Sequence, residues 1–409
     1  MSKKVLYISY DGMTDPLGQS QVIPYLQGLT RQGYNFTLIS FEKKEKYQKL
    51  SGDIQRILDE SGIRWQPLFF TRRPPFIAKV YDVWNLKRKA VQLHRKEKFD
   101  FVHCRSYVPA SAGLHLYRKY EVPFLFDMRG FWVDERVDNG QWDLSNPFFR
   151  FFYKRYKKKE KAYFNESRHI VSLTWKGKQE LINAYGLAAD KITVIPCCVD
   201  LNHFDYKKIS KKDIIEKKRQ LGIGEDETVI SYLGSLGGWY LEKEMIDFFV
   251  EMKKTYPRVK FLFITQDPSK KIFKAASDSG ADEKDIIVQP ALRGEVPFYL
   301  SLSDRSIFFI KDAYSKRASS PTKQGEIMAM GIPLICNDIG DTGKIVKASK
   351  AGSLVAEFKQ SEYQKIVKEL QPVKEISREQ IRTAAFEYYD LEKGVEKYAA
   401  IYKTILKDQ

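Results

Sequence analysis

Cysteine is scarce in this chain: 409 residues hold four, Cys104, Cys197, Cys198 and Cys336. None stands at metal-ligand spacing and the adjacent pair is too close for an ordinary disulfide, which points to a reducing compartment. Histidine is equally sparse, with five residues scattered singly, and no Asp-x-Asp triplet is present to hold a divalent ion, so no metal site is expected. Long apolar runs are missing as well. The opening run VLYISY stops at Asp11, too soon for a secretion signal, and no later stretch has the length to cross a bilayer. The expected location is the cytosol, or a membrane reached from that side. The dinucleotide fingerprint, the Walker lysine loop and the nucleophile elbow are absent too, which leaves redox-cofactor enzymes, most kinases and most hydrolases without support, and no cofactor is expected. With no recognition helix, zinc finger or RNA-binding sheet motif, nucleic acid ranks low as a partner.

The length favours two domains, and 43% hydrophobic residues supply material for two cores. Net charge is +17 and unevenly spread. Residues 1–196 carry 34 Lys and Arg against 20 Asp and Glu, a surplus of +14, while the remainder has 35 against 32, a surplus of +3. Such a first half suits an anionic partner, phospholipid, nucleic acid or a phosphorylated substrate; a basic surface serving only solubility is the plainer alternative.

Short apolar runs alternate with helical patterns throughout, the signature of strand-helix units built on parallel sheets. VLYISY, FTLISF, FDFVHC, PFLFDM, HIVSLT and KITVIP read as one set of strands. After a basic, helix-prone bridge the pattern restarts with TVISYLG, FLFIT, IIVQPA, SIFFI and PLICN. The expected fold is α/β, with one domain over residues 1–196, a second over 197–389, a cleft between them, and a terminal helix, 390–409, packing back on the first. Ligands of such sheets sit beyond the carboxyl ends of the strands, so the loops that follow strands are where chemistry is expected.

Several of those loops are chemically loaded. DGMTDPLGQS sets Gly12 and Gly18 ahead of a helix expected near Ser20, where close backbone approach and unpaired amides suit phosphate or sugar oxygens, although a tight turn before a capped helix reads the same way. In SSPTKQGEIMAMG, Ser319 or Ser320 suits a helix cap and Pro321 the first turn. A well-capped helix accounts for all of it except Lys323, whose charge has the wrong sign for the positive end of a helix dipole. A phosphate bound at the same amides resolves that conflict, with Glu326 one turn on accepting from ribose hydroxyls. His103, Arg105, Asp127, Arg129, Asp134 and Glu135 crowd two adjacent strand ends; ion pairing is the plain reading, catalysis or substrate binding the sharper one. SNPFFRFFYKRYKKKEKAYFNES reads as a helix with an aromatic stripe and a face of Lys154, Arg155, Lys157 and Lys158. With FIAKVYDVWNLKRKAVQLHRKEK, which follows Arg72 and Arg73, it fits an anionic membrane surface; a solvated face is the alternative.

Five landmarks in order, DPLGQSQVIPYLQGL, FDFVHCRS, VIPCCVDLNHF, LRGEVPFYLSLSD and above all SPTKQGEIMAMGIPLICN, resemble the family 4 glycosyltransferases over the whole chain. The resemblance implies the GT-B fold of two facing Rossmann-like domains, with acceptor on the first and nucleotide on the second. It also implies metal-independent transfer of a sugar from a nucleotide-activated donor with retention of configuration. Carried over residue by residue, it implies donor contacts at Gly18 and Gln19, at Ser319, Ser320, Pro321, Thr322 and Lys323, and a ribose contact at Glu326. Three departures stand out. The glutamate eight positions before Glu326 is Ala318; the phosphate-gripping arginine is Ser235 and its lysine partner falls near Tyr240; and a histidine often found two places after the one matching His103 is Arg105. Charge on the leaving phosphate then falls to Lys323 and Arg129, helped by Arg105 or Arg293. Arg105, Asp127, Arg129 and Glu135 form the expected catalytic set. The implied function is hexosyl transfer from a UDP- or GDP-sugar to a glycan or lipid-linked acceptor in cell-surface polysaccharide or glycoconjugate synthesis, at the inner face of the plasma membrane. The rivals are a GT-B epimerase or phosphorylase on a soluble sugar, and a nucleotide-sugar-binding protein that has lost catalysis.

Overall fold

The computed structural model describes residues 3–71, 74–370, 372 and 375–407. Arg72 and Arg73 lie outside them. The chain divides into two compact units, one of residues 1–196, 314–319 and 391–409, the other of 197–313 and 320–390.

The first unit holds seven strands: β1 Lys3–Ser9, β2 Tyr34–Glu42, β3 Arg64–Phe69, β4 Phe101–Arg105, β5 Phe124–Asp127, β6 His169–Ser172 and β7 Ile192–Val194. All pair in parallel, in the order β3-β2-β1-β4-β5-β6-β7. The central strands are buried along nearly their whole length, as sheets covered by helices on both faces require. Register matters for the site, because Arg105 lies opposite Ser9 on one side and Asp127 on the other, at one carboxyl edge. The second unit repeats the plan with β8 Thr228–Leu233, β9 Val259–Ile264, β10 Ile286–Gln289, β11 Arg305–Phe308, β12 Leu334–Cys336 and β13 Gly352–Leu354. Their order is β10-β9-β8-β11-β12-β13, again parallel. In both sheets the strand order reverses beside the first strand, which places a ligand crevice beyond β1 and β4 and another beyond β8 and β11.

Three elements differ from the sequence pattern. The two unexpected strands, β3 and β13, are both at sheet edges: β3 carries Pro67, tolerated only where a backbone donor is dispensable, and β13 is three residues long. The helix expected near Ser20 begins at Pro16, runs to Gln21, breaks at Val22 and resumes over Ile23–Arg31. Pro24 enforces the break, since it has no amide hydrogen to continue the ladder. Gly18 therefore sits inside a helix, and a Cβ there would stand 2.2 Å from the Gly12 carbonyl oxygen. Its missing side chain makes room for the chain's own loop, not for a ligand.

The terminal helix Leu391–Lys407 packs within the first unit. Gly28 lets it approach, because a Cβ at that position would come within 2.5 Å of a Val395 methyl. Among the described residues no helix is long and apolar enough to cross a membrane.

Candidate active site

In the second unit the helix Thr322–Ala329 starts beyond the carboxyl end of β11, at the reversal point of the sheet. No side chain caps it, and its N-cap is Pro321. This corrects the expectation of a serine cap: Ser320 Oγ instead accepts from the Cys197 amide at 3.3 Å, tying down the inter-unit linker, and Ser319 groups with the first unit. The first turn thus has its positive dipole end unneutralised by the chain, and Lys323 adds to it.

Lys323 is buried. Its Nζ donates to the Tyr232 hydroxyl at 2.9 Å and lies 3.4 Å from the centre of the Tyr240 ring and 4.1 Å from that of Tyr232. Tyr232 in turn donates to the Ser235 carbonyl at 2.6 Å. The floor is Gly234, at φ 102°, where a Cβ would stand 3.4 Å from the same nitrogen. Burial pushes the amine well below the usual lysine range, and the more distant Glu326 and Asp267 pull it back only partly. The same burial raises Tyr240 and Tyr232, so both rings stay neutral. Tyr232 and Tyr240 as partners of Lys323 escape sequence reasoning, since a strand, a loop and a helix far apart in the chain bring them together.

Three residues after Lys323, Glu326 Oε1 accepts from Arg293 at 2.9 Å. Arg293 is held over the Phe204 ring, and its carbonyl lies 3.3 Å from His203 Nε2. Ser235, Arg293, Ser320, Pro321, Thr322, Lys323 and Glu326 thus all belong to the second unit, at or near one sheet edge. Gly18 and Gln19 are on the first, where Gln19 reaches the Thr14 carbonyl at 3.4 Å.

At the carboxyl edge of the first sheet, Asp127 is sealed in a network. Tyr398 donates to its Oδ2 at 3.0 Å, His103 Nε2 lies 3.5 Å from the same oxygen, and Arg129 Nη1 lies 3.7 Å from Oδ1. Burial pushes the Asp127 carboxyl up, but Arg129, His103 and Arg105 outweigh it and hold it below the usual range. Arg105 is buried beside it, with Nε 3.6 Å from Asp11 Oδ2. Two residues here adopt costly backbone conformations: Ser106 at φ 75° and Arg129 at φ 61°. The Ser106 amide bonds the Asp127 carbonyl at 2.7 Å, so the two strained turns are held to each other. Asp127 is a buried anchor for Arg129, with no exposed face for a substrate. Glu135 is also engaged, accepting from Lys316 at 3.0 Å, and Asp134 accepts from Tyr153 and Lys157.

On the helix Pro147–Glu166, Lys154, Arg155 and Lys158 are exposed. Lys157 is not. It bonds Asp134 Oδ2 at 2.9 Å and Tyr185 at 2.6 Å and pairs with Glu160, because helical periodicity turns 153, 157, 160 and 164 to the same inward side. That corrects its place among outward-facing basic residues.

Solved structures share this architecture. A glycosyltransferase from Rickettsia africae is 16% identical over the whole of both chains with a TM-score of 0.73. Anabaena Alr3699/HepE, crystallised with UDP and glucose, is 14% identical over 98% of this chain and 99% of that one, with a TM-score of 0.70. The fold is accordingly GT-B. Residues 21–203 match the model of Glycosyltransferase Family 4 and residues 213–387 that of Glycosyl transferases group 1; the chain belongs to the family 4 glycosyltransferases. Among curated proteins, the alpha-monoglucosyldiacylglycerol synthase of Acholeplasma laidlawii is 26% identical over 150 residues, 36% of this chain and 35% of that protein. The match therefore spans about a third of that relative's length.

Proposed function

We infer that this protein is a retaining, metal-independent hexosyltransferase that moves a sugar from a UDP- or GDP-sugar to a glycan or lipid-linked acceptor. The setting is cell-surface polysaccharide or glycoconjugate synthesis. The observation that carries the reading is Lys323, a buried amine at an uncapped helix start, walled by two tyrosine rings and a glycine. The buried amine and the uncapped first-turn amides favour an incoming anion, and a nucleoside diphosphate supplies one. Cleavage of the glycosyl–phosphate bond puts further negative charge on that group, which Lys323 and the first-turn amides stabilise. Glu326, oriented by Arg293, accepts from the ribose hydroxyls. The UDP bound by the Anabaena protein and the diacylglycerol glycolipid named for the Acholeplasma relative support this reading.

The acceptor belongs to the first unit, where Arg105, paired with Asp11, and Arg129, paired with Asp127, supply positive charge suited to an acceptor phosphate. The basic helices of that unit favour an anionic membrane, with the protein peripheral on the inner face of the plasma membrane. A thermal-shift screen with UDP, GDP, CMP, ADP and their sugars, followed by transfer of labelled sugar from whichever donor stabilises the fold, tests the reading. Lys323→Ala is expected to lower turnover by about one to three orders of magnitude. Unchanged turnover in a folded variant rejects the assignment.

A further inference from the structure

The helix Pro75–Glu97 buries Ala78, Asp82, Leu86 and Ala90, one residue per turn, as a helix lying on a sheet should. Its other side is unusual. Ile77, Val80, Tyr81 and Trp84 follow the i, i+3, i+4, i+7 spacing of a helical face, yet all four are between 48% and 65% exposed. The next position on this face is Arg88, whose guanidinium lies 5.1 Å from the Trp84 ring centre. The helix Pro147–Glu166 has the same design: Phe148 and Phe151 are 52% and 60% exposed, and Arg155 and Lys158 continue their face. In each helix the apolar groups occupy the first turns and the basic ones follow.

Topology brings the two ridges to one side of the unit. The first helix follows β3 and the second leads into β6, both strands of one parallel sheet, so each helix starts at the carboxyl edge and runs back toward the amino edge. Lys87 and Lys159, one on each helix, are close enough for their charges to interact. The carboxylates of both helices are spent internally: Asp82 accepts from Tyr10 at 3.3 Å, Glu160 from Tyr107 at 2.6 Å, Glu97 pairs with Arg64 and Glu166 with Arg118. What remains outward is basic, from Lys79 and Arg88 to Lys154, Arg155 and Lys158.

We propose that these six side chains form a wedge that enters the acyl region of an anionic bilayer and sets the carboxyl edge of the first sheet against the membrane. This deepens the membrane reading given above and rests on it. The charge around the wedge selects an anionic partner, and its chemistry selects lipid. Ile, Val and Phe gain nothing from a polyanion in water, whereas a bilayer takes them into hydrocarbon, holds Trp84 and Tyr81 at headgroup depth, and lets the lysines reach phosphates on extended stems.

The test is sedimentation of the full chain with phosphatidylcholine vesicles, with and without about 30 mol% phosphatidylglycerol, at low salt and at roughly 1 M salt, where the screening length is about 3 Å. Ile77→Ser/Trp84→Ser and Lys154→Ser/Arg155→Ser/Lys158→Ser are compared with the parent. All five positions are exposed, and circular dichroism verifies folding. The parent is expected to bind the anionic vesicles with a fraction that survives high salt. The apolar double variant is expected to bind at least about tenfold more weakly and to lose the salt-resistant fraction, as return of a large apolar group to water requires. The basic triple variant is expected to lose affinity at low salt only. Parent-like, salt-resistant binding by the double variant overturns the wedge and leaves the basic-surface reading standing. No binding by the parent to anionic vesicles overturns both and leaves sugar transfer to be judged on its own assay. Self-association of the parent without vesicles that is abolished in the double variant assigns the ridge to a second copy and also overturns the proposal.

Discussion

Removing or titrating Lys323 should reveal a proton that moves with the donor. The amine lies in the first turn of a helix, where the dipole opposes positive charge, and among the described residues it forms no ion pair. The groups facing it are the neutral Tyr232 and Tyr240 rings, with Glu326 on its own helix and Asp267 beyond β9 acting from farther away. Burial is the dominant influence and lowers its pKa well below the ordinary lysine value. A nucleoside diphosphate arriving at the same helix start reverses the balance and raises that pKa in the complex. Between the two values, binding takes up as much as one proton. Affinity therefore falls with rising pH, by at most tenfold or about 1.4 kcal/mol per unit. Above about pH 7 a terminal phosphate is already largely ionised, so the slope there belongs to the lysine. Stability of the free fold runs the other way: the unfolded chain holds the proton more tightly, so stability rises with pH through the window between the folded pKa and the unfolded one. Lys323→Met should then stabilise the ligand-free protein at pH 7 by about 1–3 kcal/mol while abolishing the proton uptake. Titration calorimetry of UDP or GDP in two buffers of different ionisation enthalpy reads the proton count directly. Intact binding with no buffer dependence, in a parent that loses affinity on Lys323→Met, would refute the linkage and leave the amine a permanently charged contact.

Three further outcomes follow from named contacts. Glu326→Gln loses the charge that pairs with Arg293 and, in the proposed reading, accepts from ribose hydroxyls, so the donor KM is expected to rise about tenfold with the fold retained; an unchanged KM removes Glu326 from the donor site. Asp127→Asn leaves Arg129 without its buried counter-charge and should cost about 3–5 kcal/mol in urea unfolding, whereas Tyr398→Phe, which removes one hydrogen bond to the same carboxylate, should cost about 1 kcal/mol. His169, buried against Thr193 at 2.8 Å, has its pKa pushed down to about 4, by burial first and Lys178 next. The unfolded histidine titrates near 6.5, so its share of stability is complete above that pH and is lost as pH falls toward 4, roughly 3 kcal/mol in all; His169→Gln should flatten that limb of the pH–stability curve.

The alternation of apolar runs made most strands of both sheets legible, because central parallel strands are continuous apolar segments bounded by helices. What escaped was at the edges. RWQPLF neither alternates nor forms a continuous apolar run and contains proline, and GSL has too few residues to show a period. The chemistry of the donor candidates was legible in one residue: the sign of Lys323 against the helix dipole is a conflict that local structure alone leaves unresolved. The rings that answer it were not, for nothing in the spacing of Tyr232, Tyr240 and Lys323 announces that they meet. Charge runs misled for the opposite reason. KRYKKKEK reads as uniformly basic and outward, but a helix has an inside, and Lys157 falls on it. Gly18 misled similarly, since a glycine near a helix start serves an approaching loop as readily as an approaching phosphate.

Two of the departures noted in the sequence, at 240 and 318, have physical reasons once the side chains are placed. Tyr240 puts its ring 3.4 Å from the Lys323 nitrogen. A lysine rooted at 240 would bring a second ammonium into the same walled space, and two like charges about 4 Å apart repel by roughly 4 kcal/mol at an effective dielectric of 20. The two lysines are therefore alternatives, and a chain that carries Lys323 gains by having an aromatic ring at 240. Ser235 has no comparable explanation: what meets the Tyr232 hydroxyl is its backbone carbonyl, which an arginine would supply equally. Ala318 is a packing constraint. It is fully buried in the first unit, 2.9 Å from where a Cβ on Gly177 would stand, beside the Thr174 hydroxyl that holds the Arg317 carbonyl at 2.6 Å. A glutamate there would have to displace that contact and bury its charge against an apolar wall. A lysine placed at 240 beside the one at 323 should therefore damage the site.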